Sequence, residues 1–288
     1  VYGLPFDTGT TGMYYRSDLI KQAGFSDKDM QNITWDRYLE IGKQVEAKTG
    51  KKMFAMDPQD IASIRIMMQS AGRWYFDKDG KLDIKNNPAL KAALQVQAKF
   101  MSSGIYKPTS GWGEWVGALN KGDVASVITG VWITGSVKAE ASQSGKWAVA
   151  ATPRLDVPGG VNASNLGGSS WYVLSSGKEK ATAVDFLNEV YAKDVDFYQT
   201  ILQSRGAVGT LLASRNGKEY SAPDAFFGGA KVWQQFSDYL GKVPSVNYGI
   251  YTYEGDAAVA AQLPGLISGT PVDKILDNIH QQLAAQIK

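Results

Sequence analysis

The stretch "EWVGALNKGDVASVITGVWITGS" (Glu114–Ser136) constrains the fold more than any other. Apolar residues first recur at helical spacing, an N-K-G-D turn follows, and Val124–Ile128 then reads as a strand whose apolar run ends at Gly130. A helix and a strand joined by so short a turn must pack on each other as layers of one core. Trp132 follows two residues after that stop, beside small and polar residues. The bulkiest side chain in the stretch therefore lies past the end of the strand, outside the run that would bury it.

The same alternation recurs along the 288 residues. "NITWDRYLEIGKQVEAKTG" predicts a helix with Thr34 as its N-cap and Gly50 as its stop. "KKMFAMD" predicts a short strand, "IASIRIMMQSAG" an apolar helix, and "NPALKAALQVQAKFMSSG" a helix with Pro88 in its first turn. "WAVAATPRL" and "SSWYVLSS" read as strands, and "KEKATAVDFLNEVYAKDVDFYQTILQSRG" as one or two helices. "SAPDAFFGGAKVWQQFSDYLG" reads as a helix starting near Pro223, "DAAVAAQLPGLISG" as a helix broken near Pro264, and "TPVDKILDNIHQQLAAQIK" as a closing helix. "VYGLPFDTGTTGMYYRSDLIKQAGF" predicts strand, glycine-rich loop, strand, then a short helix capped by Asp18. "RWYFDKDGKLDI" predicts a hairpin on a D-G turn, and "GWGEWVGALNKGD" a loop leading into a helix. Strands alternating with helices give the α/β class.

Composition excludes several functions. The 30 basic and 28 acidic residues leave a formal charge of +2, too little to attract nucleic acid or an anionic membrane. No cysteine is present, so disulfides, thiolate metal sites and a cysteine nucleophile are excluded. The single histidine, His280, lies in the closing helix pattern, where a surface position is expected rather than a catalytic one. No apolar run approaches the roughly 20 residues of a membrane span, and the N-terminus shows no signal-peptide pattern. The opening "VYGLPFD" already reads as a buried strand and turn, so a preceding N-terminal part is expected to be absent from this chain.

Enzyme motifs are few. No phosphate-binding loop, zinc-protease motif or calcium loop occurs. Asp7-Thr8-Gly9 matches the aspartic-protease tripeptide, but that chemistry needs a second such carboxylate and no second D-[TS]-G exists. A glycosidase needs two carboxylates flanking a sugar, and Asp7, Asp57, Asp60 and Glu254 are acids in loops. That alternative stays open on the residues alone.

The order of five segments carries more information than any one of them. "YGLPFDTGTTGMYYRSDLIKQAGF", "ITWDRYLEIGKQVEAKTG", "ALNKGDVASVITGVW", "WAVAATPRL" and "LGGSSWYVLSSGKEKATAVDFLNEVY" follow one another in a series that closely resembles the extracytoplasmic sugar-binding proteins of ABC importers, the maltose-binding-protein-like group. The resemblance runs over essentially the whole chain. It implies a periplasmic-binding-protein-like fold, two α/β lobes joined by a hinge of crossing strands, with ligand held between lobes that close over it. It also implies that most of the first lobe has no counterpart here. Residues 1–166 would be the first part of the second lobe, 167–220 a fragment of the first lobe, and 221–288 the closing helices of the second. Exposed apolar surface is then expected on 167–220.

The resemblance also nominates residues. Trp132 matches the family position that stacks on sugar, since an indole face covers the apolar face of a pyranose. The end of a strand is also where ligands lie in doubly wound sheets. Asp60 falls where the family carries a polar or acidic cleft residue, with a helix cap as its alternative. Gly167 and Gly168 lie at the second hinge crossing, where small residues let a sugar approach backbone amides. Of the pair in "GWGEW", Trp112 is the cleft candidate and Trp115 the helix-packing one. Tyr251 and Tyr253 fall near another family aromatic, although the match slips there by a few residues. Asp7 and Thr8 lie in the first hinge loop, but the family's acid matches Gly9, a departure that weakens an acidic contact from that loop. Trp171 is expected to pack at the hinge, and Arg205 to sit on the surface in an ion pair.

The function implied is that of a non-enzymatic solute-binding component, taking a mono- or oligosaccharide and delivering it to membrane permease subunits. The alternatives are a secreted carbohydrate-active enzyme, or a binder of a polyol or polyamine; the last would need several cleft acids around the aromatics. The expected protein is a monomer with no cofactor, metal or nucleic-acid partner. It would work outside the cytoplasm, in the periplasm or, if lipid-anchored through a preceding segment, at the cell surface.

Overall fold

One strand organises the molecule, whose computed structural model describes residues 3–287. The strands are β1 (Leu4–Arg16), β2 (Phe54–Met56), β3 (Tyr106–Pro108), β4 (Ser126–Gly130), β5 (Trp147–Ala151) and β6 (Asn165–Trp171). The second half of β1 is sandwiched between β4 and β5, antiparallel to both. Its first half pairs antiparallel with β6, through register shifts between Pro5 and Asp7 and between Thr8 and Thr10.

Because β1 is paired on both sides, its side chains alternate between two buried faces. Met13 and Tyr15 enter a core built with the helices Trp35–Thr49, Ala62–Ser70, Pro88–Ser103 and Val272–Gln286. Tyr14 points the other way, into a second core with Val127, Val149, Leu202, Trp233 and Phe236. The two cores sandwich the sheet, and the sheet ends converge on the loop after β4.

Several predicted helix ends are realised as read. Thr34 Oγ1 accepts from the Arg37 N–H at 3.1 Å, and Gly50 stops that helix with φ of 69°. Asn87 caps the helix that begins at Pro88, its side chain accepting from the Ala89 and Leu90 amides.

Other expectations are corrected. No glycine-rich loop interrupts β1: ladders on both sides hold Gly12 extended despite its weak strand preference, and Gly9 falls at the register shift between Thr8 and Thr10. Val1 and Tyr2, part of the strand expected from "VYGLPFD", lie outside the described residues. Asp18 is not a cap; it is held by Arg16 through two hydrogen bonds of 2.8 and 2.6 Å. The D-G turn forms, but a single bridge, Phe76 to Leu82, replaces the expected hairpin, because the Asp77 carboxylate takes the Asp79 and Lys81 amides. Near Pro223 the chain makes only a short turn, Ala225–Phe227, and the helix starts at Val232, after Gly228 and Gly229 adopt positive φ. The strand read from "SSWYVLSS" is shifted toward the N-terminus and ends at Trp171. Two helices replace the one broken near Pro264: Thr252–Ala260, and Leu263–Ile267 with the proline in its first turn. His280 is not a surface residue but half-buried, its Nδ1 enclosed and without a partner. The main sheet is antiparallel, and β2–β3 forms the parallel ladder, so the doubly wound analogy does not apply.

The helix Lys180–Tyr191 has no buried residue. Tyr172, Leu174, Val184 and Phe186 stand exposed around it, the apolar surface expected there. Farther on, Leu202, Val208 and Tyr220 are buried in the same core as Val127 and Val149. Tyr220, the last residue of the expected first-lobe fragment, thus belongs to this cluster. Among the described residues no helix is long and apolar enough to cross a membrane.

Candidate ligand-binding site

The strand β4 ends at Gly130, and a tight turn, Val131–Ile133, follows at once. Val131 and Ile133 are buried, which turns the intervening Trp132 outward. Its indole N–H donates to the Leu166 carbonyl at 2.9 Å, tying the ring to the first turn of β6 and leaving 37% of the residue exposed. The same carbonyl explains two glycines. A Cβ on Gly130 would lie 2.1 Å from Trp132 Nε1, and one on Gly9 would lie 2.1 Å from the Leu166 oxygen. Gly9 thus cannot carry the acid that the family pattern places there.

The helix Gly111–Asn120 brings two more indoles to this point. Trp112 is 56% exposed, with its ring 6.0 Å from Trp132 and tilted 36° to it. Trp115 lies 6.4 Å from Trp132, and its Nε1 donates to the Ala55 carbonyl at 3.1 Å. "GWGEW" is therefore not a loop before the helix but its first turns. Two of the three N–H groups are spent on backbone carbonyls, so the rings are fixed while indole faces remain open.

These rings wall a cavity of about 290 Å³, whose other side is formed by Asp57, Asp60, Thr109 and Leu166. Asp60 does two jobs. Its Oδ1 accepts from the Ala62 N–H at 2.8 Å, steadying the start of the helix Ala62–Ser70, and the same carboxylate lines the cavity. Its pKa is raised above the ordinary carboxylate value, chiefly because surrounding protein atoms desolvate the charge; Asp57 adds to this, and the Ala62 amide and Arg65 oppose it. Asp60 is nevertheless an exposed residue, and a carboxylate beside an exposed indole accepts hydrogen bonds from ligand hydroxyls while the ring covers a C–H face.

Residues 1–228 match the family model described as "Bacterial extracellular solute-binding protein". A lactose-binding protein of Rhizobium radiobacter is 59% identical over 288 residues, all of this chain and 68% of that protein. An arabinooligosaccharide-binding protein of Bacillus subtilis (strain 168) is 33% identical over 192 residues, 65% of this chain and 43% of that one. The ABC-transporter-associated binding protein of B. animalis subsp. lactis Bl-04, solved with beta-1,6-galactobiose, superimposes with a TM-score of 0.80 at 23% identity, over 100% of this chain and 72% of that one. The chain belongs to the bacterial extracellular solute-binding proteins. These are binders and not enzymes, so the loop-carboxylate alternative falls away.

Within this solute-binding protein the nominated residues are distributed unevenly. Trp132, Trp112 and Asp60 share the cavity, and Trp115, read as helix packing, joins them. Gly167 and Gly168 follow Leu166 in β6 with φ of 91° and 104°; a Cβ on Gly167 would meet the Trp132 ring nitrogen at 3.4 Å. Asp7 and Thr8 are committed to strand crossing instead: Asp7 Oδ1 accepts from the Ser169 N–H at 2.6 Å, and the Thr8 N–H donates to Val208. Tyr251 packs on the first core and Tyr253 is 79% exposed; neither lines the cavity. Trp171 packs with Phe6 and Tyr191 on the β1–β6 crossing, and Arg205 is exposed in the last turn of its helix.

Tyr248, three residues before Tyr251, lies outside the cavity wall as well. Its hydroxyl donates to Gln69 Oε1 at 2.7 Å, and its ring stands edge-on to Trp74 at 4.8 Å. Burial raises its pKa, while bonding to Asn165, the residue before Leu166, lowers it. Among the described residues no group of three histidines or acids is placed to hold a metal.

Proposed function

We propose that this solute-binding protein takes a β-galactoside disaccharide of the lactose type and delivers it to the permease subunits of an ABC importer. The reading rests above all on Trp132, an indole locked through its N–H with its ring open to a cavity that the Asp60 carboxylate also lines. The name of the relative at 59% identity supports the sugar class. One pyranose lies against Trp132 and Trp112, and Asp60 accepts from ring hydroxyls. Gly167 and Gly168 bring backbone amides within reach of the sugar. The protein works as a monomer outside the cytoplasm and binds no nucleic acid.

Titration calorimetry against lactose, galactobiose, maltose and arabinobiose, followed by chromatography of the recovered sugar, tests the proposal. Lactose should bind at micromolar or better affinity and return uncleaved. Cleavage, or binding of none of the four, would overturn it.

A further inference from the structure

Behind the tryptophan-walled cavity lies a second, smaller chamber of about 80 Å³. The two share four wall residues, Asp60, Ala62, Trp115 and Thr129, so they adjoin and Asp60 lines both. The inner walls are mixed: Phe54, Ile66, Phe100 and Val127 are apolar, and Tyr38, Ser63 and Thr129 add hydroxyls. Packed cores seldom leave a void of this size, which holds a few waters and exceeds one by several times.

Among the described residues, two that line these spaces carry a polar atom without a partner. Trp35 also lines the inner chamber; only 3% of it is exposed, and its Nε1–H is enclosed without an acceptor. Thr109, in the outer wall and 6% exposed, has an unpartnered Oγ1. Buried donors are almost always satisfied, and leaving one unmet is costly. Other side chains nearby show how such needs are normally met: Tyr38 Oη bonds Ser126 Oγ at 2.7 Å, and Ser63 Oγ donates to Gln97 at 2.8 Å. The residues around the chamber thus offer apolar side chains, the unpartnered Trp35 N–H and the Asp60 carboxylate as an acceptor.

A group that matches this is short, with a methylene to lie on the apolar walls and a hydroxyl that can both accept and donate. Resting on the sugar-binding reading above, we propose that the chamber is an inner subsite for an exocyclic hydroxymethyl group of the ligand. The hydroxyl accepts from Trp35 Nε1 and donates to Asp60, while the attached carbon rests between Phe54 and Ile66. The site then selects a hexose unit over the pentose that has hydrogen in place of the hydroxymethyl arm.

Lactose and two analogues decide this by calorimetry. In β-D-galactopyranosyl-(1→4)-D-xylose the reducing unit lacks the arm, and in α-L-arabinopyranosyl-(1→4)-D-glucose the non-reducing unit lacks it. One analogue should bind at least tenfold more weakly than lactose and the other within about threefold. Trp35→Phe keeps the ring that fills the wall and removes the N–H. It should weaken lactose binding about five- to tenfold and leave the disfavoured analogue unchanged, so that the discrimination collapses. Circular dichroism of Trp35→Phe checks that it is folded. If it is not, the analogue comparison on the unmodified protein stands alone as the test. Both analogues binding within twofold of lactose would overturn the subsite while leaving the sugar site standing. An equal loss for all three sugars in folded Trp35→Phe would do the same, and a water held permanently at Trp35 predicts no selective loss. Absence of any disaccharide binding would overturn both readings.

Discussion

Two helices show what a sequence pattern can and cannot determine. Trp35–Thr49 and Lys180–Tyr191 are both amphipathic. The first buries Trp35, Tyr38, Leu39, Ile41, Gly42 and Val45, and the second buries none of its residues. The difference lies in partners. The first packs on the sheet and on the helix Pro88–Ser103, while Val184 and Phe186 of the second face solvent beside Tyr172 and Leu174. Propensity and capping make a helix, but burial against a neighbour supplies most of its stability.

Substitution should expose this contrast most strongly. Ile41→Ala removes a fully buried side chain from the first core and should cost about 2–5 kcal/mol in urea unfolding. Phe186→Ser, at a residue 58% exposed, should change stability by no more than about 0.5 kcal/mol. Comparable losses would mean that the second helix is covered in solution. Limited proteolysis followed by mass spectrometry sharpens the same comparison. The first cuts are expected between Tyr172 and Tyr191, with the segment Trp35–Thr49 resisting until global unfolding.

The next effect concerns the site. Gly130 has φ of −64°, which any residue adopts, so Gly130→Ala acts through crowding alone. Its methyl would press on Trp132 Nε1, displacing the indole from Leu166. Sugar affinity should fall roughly tenfold, the loss of about 1.4 kcal/mol, with the far-ultraviolet spectrum unchanged. An unaltered affinity would show that the Leu166 tether does not position the ring.

The smallest effect is in pH. The folded-state pKa of Asp60 is raised, so the folded state holds its proton more tightly than the unfolded chain. Its contribution to stability is full below the unfolded value and is lost as pH rises through the folded one. Sugar binding runs the other way, because the carboxylate is the acceptor: affinity should weaken as pH falls through the raised pKa. In Asp60→Asn the profile over the same range should be flatter. A wild-type profile as flat as that of the variant would remove Asp60 from the ligand's hydrogen bonds.

The two regions also differ in how legible they were. Trp132 was readable because an apolar run stops at Gly130 and leaves a tryptophan beyond it, and Thr34, Gly50 and Pro88 announce their helices by local chemistry. The Leu166 carbonyl was not readable, since it meets Gly9, Gly130 and Trp132 only after β1, β4 and β6 assemble. Likewise Asp18 looks like a cap until Arg16 claims it, and Asp7 looks like a site acid until β6 brings the Ser169 amide to it. Family order nominated Tyr251 and Tyr253, but neither lines the cavity once the chain has packed. Long-range pairing, invisible to local pattern, accounts for each miss.

The central claim is that the exposed face of Trp132 holds the sugar. Calorimetric titration of lactose into wild type and Trp132→Ala, side by side, tests it most directly. The wild type should bind with one site. The variant should be folded and lose about 2 kcal/mol or more, at least thirtyfold in affinity. A folded Trp132→Ala that binds lactose as tightly as wild type would contradict the account and move the ligand elsewhere on the molecule.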